Sequence, residues 1–173
     1  GTASVVTAAI ETFTETGIRL TSGEELEADL IVTATGLRLL PFGGIGLEVD
    51  GEPVDVSQTM AYKALMLSGI PNFAYTIGYT NASWTLKADL VADYVCRLLA
   101  HMEEHGQRKV VPLRDPSVGE QPFMDFSAGY VLRALDRLPK QGDRAPWMLK
   151  QNYVTDVRTI RRGEVEDGVL AFD

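Results

Sequence analysis

Cysteine is nearly missing from this chain. Cys96 is the only one in 173 residues, so no internal disulfide can form and a cysteine-built zinc site has no ligand set. Positive charge is also short: 16 Lys and Arg stand against 24 Asp and Glu, a formal net charge of −8. With no basic stripe to offset that sign, the chain does not read as a binder of nucleic acid, which needs cations for phosphates. No run approaches the roughly 20 apolar residues of a membrane-spanning helix. No basic segment leads into a short apolar core, as a secretory signal would require. These absences point to a reducing, cytoplasmic setting. What is present is 45% hydrophobic and 23% charged residues, enough apolar material to bury a core, which excludes disordered, collagen-like and disulfide-scaffold classes. The chain starts Gly-Thr-Ala-Ser, without Met, and enters strand-like sequence almost at once, so it reads as a piece of something longer.

The first third predicts β structure. Residues 10–14 and 18–21 alternate around the turn signal Glu15-Thr16-Gly17, a hairpin pattern. A second hairpin is expected where Asp50-Gly51 separates 47–49 from 53–56, because Asp-Gly supplies the positive φ angles of a tight turn. Residues 30–36 and 73–78 are short apolar runs ending in Gly36 and Gly78, the pattern of strands buried on both faces. After the second run comes the strongest helix signal: Leu86, Leu90, Val91, Tyr94, Val95, Leu98, Leu99 and Met102 recur at helical period. Asn81 or Ser83 can cap its start and Gly106 can end it. Beyond 107 the chain loosens into proline-punctuated loops. It holds a short helix at 129–138, a helical stretch at 152–162 and a last hairpin around Asp167-Gly168.

Two short motifs invite catalytic readings that the rest of the sequence does not support. His101-Met102-Glu103-Glu104-His105 matches the inverted zinc-protease pattern, but the chain has no third His and the motif lies at a helix end, where imidazoles complement the dipole. No metal is therefore expected. Cys96, between Val95 and Leu98, reads as a small buried apolar residue. No G-x-S-x-G elbow occurs, and Gly43-Gly44-Ile45-Gly46 opens no helix, so it reads as a plain loop. No catalytic residue is assigned. The strand–turn–helix from 73 to 105 is the better candidate, because a helix N-terminus offers free N–H groups to anions and carbonyl oxygens. Pattern alone supports equally that Gly36 and Gly78 merely make tight turns and that Asn81 merely caps.

A resemblance separates these readings. Ala28-Asp29-Leu30-Ile31-Val32-Thr33-Ala34-Thr35-Gly36 resembles the A-D-x-(I/V)-(I/V)-x-A-T-G segment of two-dinucleotide-domain flavoprotein monooxygenases. Residues 70–78 resemble their I-P-N-(L/M/F)-x-(Y/F)-x-x-G strand. Met60-Ala61-Tyr62-Lys63, Met66-Leu67-Ser68-Gly69 and the run from Gly78 through Thr80-Asn81-Ala82-Ser83-Trp84 to Leu90 are similar to the ethionamide-activating group of Baeyer–Villiger monooxygenases. Residues 130–133, 138–142 and 151–153 extend the likeness toward the C-terminus, so nearly the whole chain is covered.

The resemblance implies an α/β fold, α+β in isolation: the C-terminal part of a two-dinucleotide-binding-domain flavoprotein, with an incomplete Rossmann-like sheet, β hairpins and a long helix. Residues 1–36 would end the NADPH domain, 37–106 would complete the FAD domain, and 107–173 would form a C-terminal extension. Asn81, Trp84, Thr85, Leu86 and Lys87 would lie near the isoalloxazine, and Thr35 and Gly36 near the cofactors on the linker. The G-x-G-x-x-G fingerprints for FAD and NADPH, and the family's F-x-G-x-x-x-H-x-x-x-(W/F) motif, are missing. The implied function is thus that of a fragment, inactive alone. Its FAD- and NADPH-dependent parent would oxygenate a ketone or a sulfur-containing small molecule through a flavin peroxide. A non-catalytic α+β module for a ligand or partner is the alternative. An incomplete sheet would in either case expose apolar surface and favour self-association.

Overall fold

The longest apolar stripe folds as α1, Trp84–Glu104, in a computed structural model that describes residues 2–173. Lys87, Leu90, Val91, Tyr94, Leu98 and Met102 form its buried face, the i, i+3, i+4 spacing of one helix side. His105 ends the helix and Gly106 follows at φ 66°, as the sequence leads one to expect. Leu99 and Cys96 fall outside the buried arc and are exposed. This corrects the reading of Cys96 as buried: two residues past Tyr94 is about 200° around the helix, on the solvent side.

The chain forms two compact units, Gly1–Leu37 and Arg38–Asp173. In the first, β1 (Ile10–Phe13), β2 (Gly17–Leu20) and β3 (Glu25–Glu27) make an antiparallel sheet in that order, with a bulge between Ile10 and Thr12. The expected hairpin is there, and β3 is an added strand. Gly17 is required: a Cβ at that position would meet the Leu26 carbonyl oxygen at 2.0 Å.

In the second unit α1 lies in a core with Met60, Tyr62, Leu65, Met66, Val110, Trp147, Ile160 and Leu170. Short antiparallel hairpins and pairs surround it. β4 (Glu48–Val49) pairs with β5 (Glu52–Pro53) through Asp50 and Gly51, both at positive φ, as expected from Asp-Gly. β6 (Ala61–Tyr62) pairs with β7 (Met66–Leu67). β8 (Val110–Pro112) and β9 (Glu120–Pro122) arise in the stretch read as loop. α2 is only the single turn Gly129–Leu132. β10 (Lys140–Gly142) pairs with β9, and β11 (Leu170–Phe172) with β8. The last hairpin expected around Asp167-Gly168 is therefore corrected: β11 reaches back across the sequence to β8. Between them, α3 (Tyr153–Asp156) runs directly into a π-helical turn, Val157–Arg161, filling the helical stretch expected at 152–162.

Mixed helices and antiparallel hairpins in open sheets make this an α+β architecture. The two runs read as buried strands are the main corrections. Residues 30–36 form no regular element and pair with nothing among the described residues, and Leu30 and Val32 are 81% and 80% exposed. Residues 73–78 make a single antiparallel bridge, Ala74 to Met66. A strand buried on both faces needs neighbours on both edges, and apolar composition alone cannot supply them.

Candidate functional site

The turn between β6 and β7 sets the site. Lys63 and Ala64 both adopt left-handed backbone, φ 49° and 56°, while Leu65 N–H closes the turn onto the Tyr62 carbonyl at 3.0 Å. Neither is glycine, so the conformation carries a local cost that the packing around it must hold. It directs the Lys63 carbonyl and the Lys63 side chain to different partners, and two Lys–Asp–Tyr clusters follow.

In one, Asp156 Oδ2 accepts from Lys87 Nζ at 2.9 Å and from Tyr79 Oη at 2.6 Å, while Lys87 Nζ also donates to the Lys63 carbonyl at 3.4 Å. In the other, Asp167 Oδ2 lies 2.9 Å from Lys63 Nζ and accepts from Tyr62 Oη at 2.6 Å, with Tyr94 Oη 3.1 Å from Tyr62 Oη. Lys63 Nζ also sits 4.9 Å from the centre of the Tyr94 ring, a cation–π contact. Both lysines are almost entirely buried. Desolvation lowers both amines below the ordinary lysine value, against the opposing pull of Asp167 and Asp156. Burial raises the phenols of Tyr62 and Tyr79, and their carboxylate partners raise them further. Tyr94, in the same interior, is pushed up to about 12, chiefly by desolvation.

These clusters wall a cavity of about 450 Å³ bordered also by Ile77, Gly78 and Gln151. Of its polar groups, Lys63, Lys87 and Tyr79 are committed to the carboxylates of Asp167 and Asp156, so this part of the wall offers shape and fixed dipoles. The entry of α1 is different. Ser83 stands at the N-cap, yet its hydroxyl pairs with Thr85 Oγ1 at 2.7 Å and caps no backbone N–H. No acidic residue occupies the first turn. The first-turn N–H groups thus have no side-chain cap at Ser83, and no carboxylate on that turn offsets the positive end of the dipole.

The structure distributes the expected site residues unevenly. Asn81 does not cap the helix; its side chain donates to the Gln151 carbonyl at 3.3 Å. Trp84 lies against Gly78, where a Cβ would come within 2.0 Å of the indole, and is otherwise 61% exposed. Thr85 and Leu86 are exposed on the first turn. Lys87 points inward to Asp156 and borders the cavity. Thr35 and Gly36 are exposed in the irregular segment of the other unit, Gly36 at φ 112°. The polar residues that sequence reading missed are Tyr62, Lys63, Tyr79, Asp156 and Asp167. Three of these lie inside or beside the motifs that carried the resemblance. Asp156 and Asp167 carry no local signal, because their partners stand 69 to 105 positions away.

No family model matches the chain, and no solved structure matches it. Among curated proteins, it is 62% identical over 173 residues to the FAD-containing monooxygenase EthA of Mycobacterium tuberculosis, covering 99% of this chain and 35% of that protein. The EthA of Mycolicibacterium smegmatis is 57% identical over the same shares. The probable FAD-binding monooxygenase AlmA of Acinetobacter baylyi is 48% identical, over 100% of this chain and 35% of its own length. The chain spans about a third of the length of the curated relatives it matches. Along practically its whole length, then, this sequence matches the FAD-containing monooxygenases, and a C-terminal portion of such a protein fits it.

Proposed function

We propose that the chain is the C-terminal portion of an FAD- and NADPH-dependent monooxygenase of Baeyer–Villiger type and forms one wall of its flavin pocket. The observation that carries this reading is the open N-terminus of α1, uncapped and free of acidic residues, within the stretch of closest likeness to the ethionamide-activating group. Such an end suits the electron-rich carbonyl edge of a flavin and the negative charge that gathers there on reduction.

Bound FAD would supply the redox and oxygen-activating chemistry, with NADPH as reductant and a ketone or soft sulfur compound as oxygen acceptor. Asn81, Trp84, Thr85 and Leu86 would hold the flavin, and Thr35 and Gly36 would lie on the linker near both cofactors. Lys87 would act from behind, bracing the first turn through Asp156 and the Lys63 carbonyl. None of these groups is assigned a chemical step; they bind, orient and exclude water. Exposed Leu30 and Val32 support a segment that is covered in the complete enzyme, by its remaining strands or by a second copy. The reading places the enzyme in the cytoplasm.

The test compares the full-length protein with the isolated chain. The full-length protein should purify yellow, absorb at about 450 nm as flavins do, and oxidise NADPH. Trp84→Ala should weaken its FAD retention at least tenfold while leaving the unfolding midpoint nearly unchanged. The isolated chain should be colourless; steady NADPH oxidation by it would overturn the reading.

A further inference from the structure

A second cluster lies at the far end of α1. His101 and His105 stand one helical turn apart with ring centres 4.3 Å from each other. The five-residue motif that contains them lacks a third ligand in sequence. The fold brings one: Glu166, whose Oε1 lies 3.1 Å from His101 Nε2. One ligand atom from each of His101, His105 and Glu166 lies within 4.8 Å of the others.

Two details orient this cluster toward a cation. His105 Nδ1 sits 2.8 Å from the His101 carbonyl oxygen, which makes Nδ1 the donor and leaves Nε2 as a bare lone pair. His101 Nε2 is shielded from water yet has no hydrogen-bond partner, since Glu166 approaches it closely but off the hydrogen-bond direction. A buried polar nitrogen left unsatisfied is costly, and a shared cation would satisfy it together with the carboxylate. The Phe172 ring packs beside the His101 ring, with centres 5.2 Å apart.

We propose that His101, His105 and Glu166 bind a divalent cation of the zinc class. Imidazole nitrogens with one carboxylate suit zinc and disfavour magnesium or calcium. Small side-chain rotations would bring the three atoms to the roughly 3.3 Å spacing of a tetrahedron with bonds of about 2.0 Å, and water would take the open position. The bound ion clamps the end of α1 to the segment bearing Glu166. The next residue, Asp167, is the partner of Lys63 and Tyr62 at the cavity wall, so the clamp fixes that carboxylate as well.

The experiment is calorimetric titration of Zn²⁺ into untagged, chelator-stripped full-length protein. One Zn²⁺ should bind, Mg²⁺ should not compete, and His105→Gln and Glu166→Gln should each weaken binding at least tenfold. Both residues are exposed, so these variants should keep the metal-free unfolding midpoint. Cys96→Ser, which removes the exposed thiol on the same helix, should leave the affinity unchanged. No stoichiometric Zn²⁺, or equal affinity in the His105 and Glu166 variants, would overturn the proposal.

Discussion

Lys87 and Asp156, 69 positions apart, meet at 2.9 Å in the interior and join the first turn of α1 to the end of α3. Tyr79 reaches the same carboxylate oxygen, so one buried acceptor serves a cation and a phenol. A buried pair of this kind is weak evidence of net stabilisation, but removal of one partner strands the other without solvent.

Asp156→Asn and Lys87→Met should each destabilise the chain by about 3 to 5 kcal/mol, since each leaves an uncompensated buried group. The double substitution should cost clearly less than the sum. A double-mutant cycle by urea unfolding measures this, and strict additivity would contradict the pairing.

The buried phenols predict an alkaline limit. An unfolded chain releases tyrosine protons near pH 10, whereas burial holds Tyr94 up to about 12 in the fold. The stability from this phenol is complete below about pH 10 and is lost as pH rises toward 12, about 3 kcal/mol in all. Tyr62 and Tyr79 act in the same direction. Lys63 and Lys87 act oppositely: between their lowered folded values and the ordinary 10.5, the unfolded chain binds more protons, so their part rises with pH. The urea midpoint should therefore fall steeply only above about pH 10, in step with tyrosinate absorbance. Tyr94→Phe should flatten that fall.

Gly78→Ala would place a methyl 2.0 Å from the Trp84 indole carbon Cγ. Trp84 is mostly exposed and has room to swing outward, so the cost should be near the low end of overpacking, about 1 kcal/mol. Trp147 is buried and should keep its emission, so a red shift in tryptophan fluorescence would report the displaced Trp84 alone.

Leu90 and Leu99 share one helical stripe in sequence but differ in the fold, at 0% and 59% exposure. Leu90→Ala should cost about 2 to 5 kcal/mol by opening a core cavity. Leu99→Ala should stay within about 0.5 kcal/mol, as surface substitutions do. Chemical unfolding of both variants decides it.

That contrast marks what local sequence conveys. The period of α1, its Gly106 stop and the Asp50-Gly51 turn are written in neighbouring residues, and all three formed as expected. Burial width is not local: the arc that reaches the core depends on what packs there, which is why Leu99 and Cys96 came out exposed. Residues 30–36 and 73–78 have strand composition, but a strand exists only with its neighbours. The Lys–Asp–Tyr clusters were the least legible part. Lys63 stands only inside a motif and Lys87 is expected beside the flavin; that each is buried against a carboxylate follows only once the fold carries Asp167 and Asp156 to them.

The unpaired stretch at 30–40 has a further consequence, for handling the chain by itself. It carries no regular secondary structure, is largely uncovered and is tied into no sheet, and it contains the exposed Arg38. Proteases need such a segment to thread through their clefts. Brief trypsin treatment of the isolated chain should cut there first, separating the small N-terminal sheet from the unit built around α1.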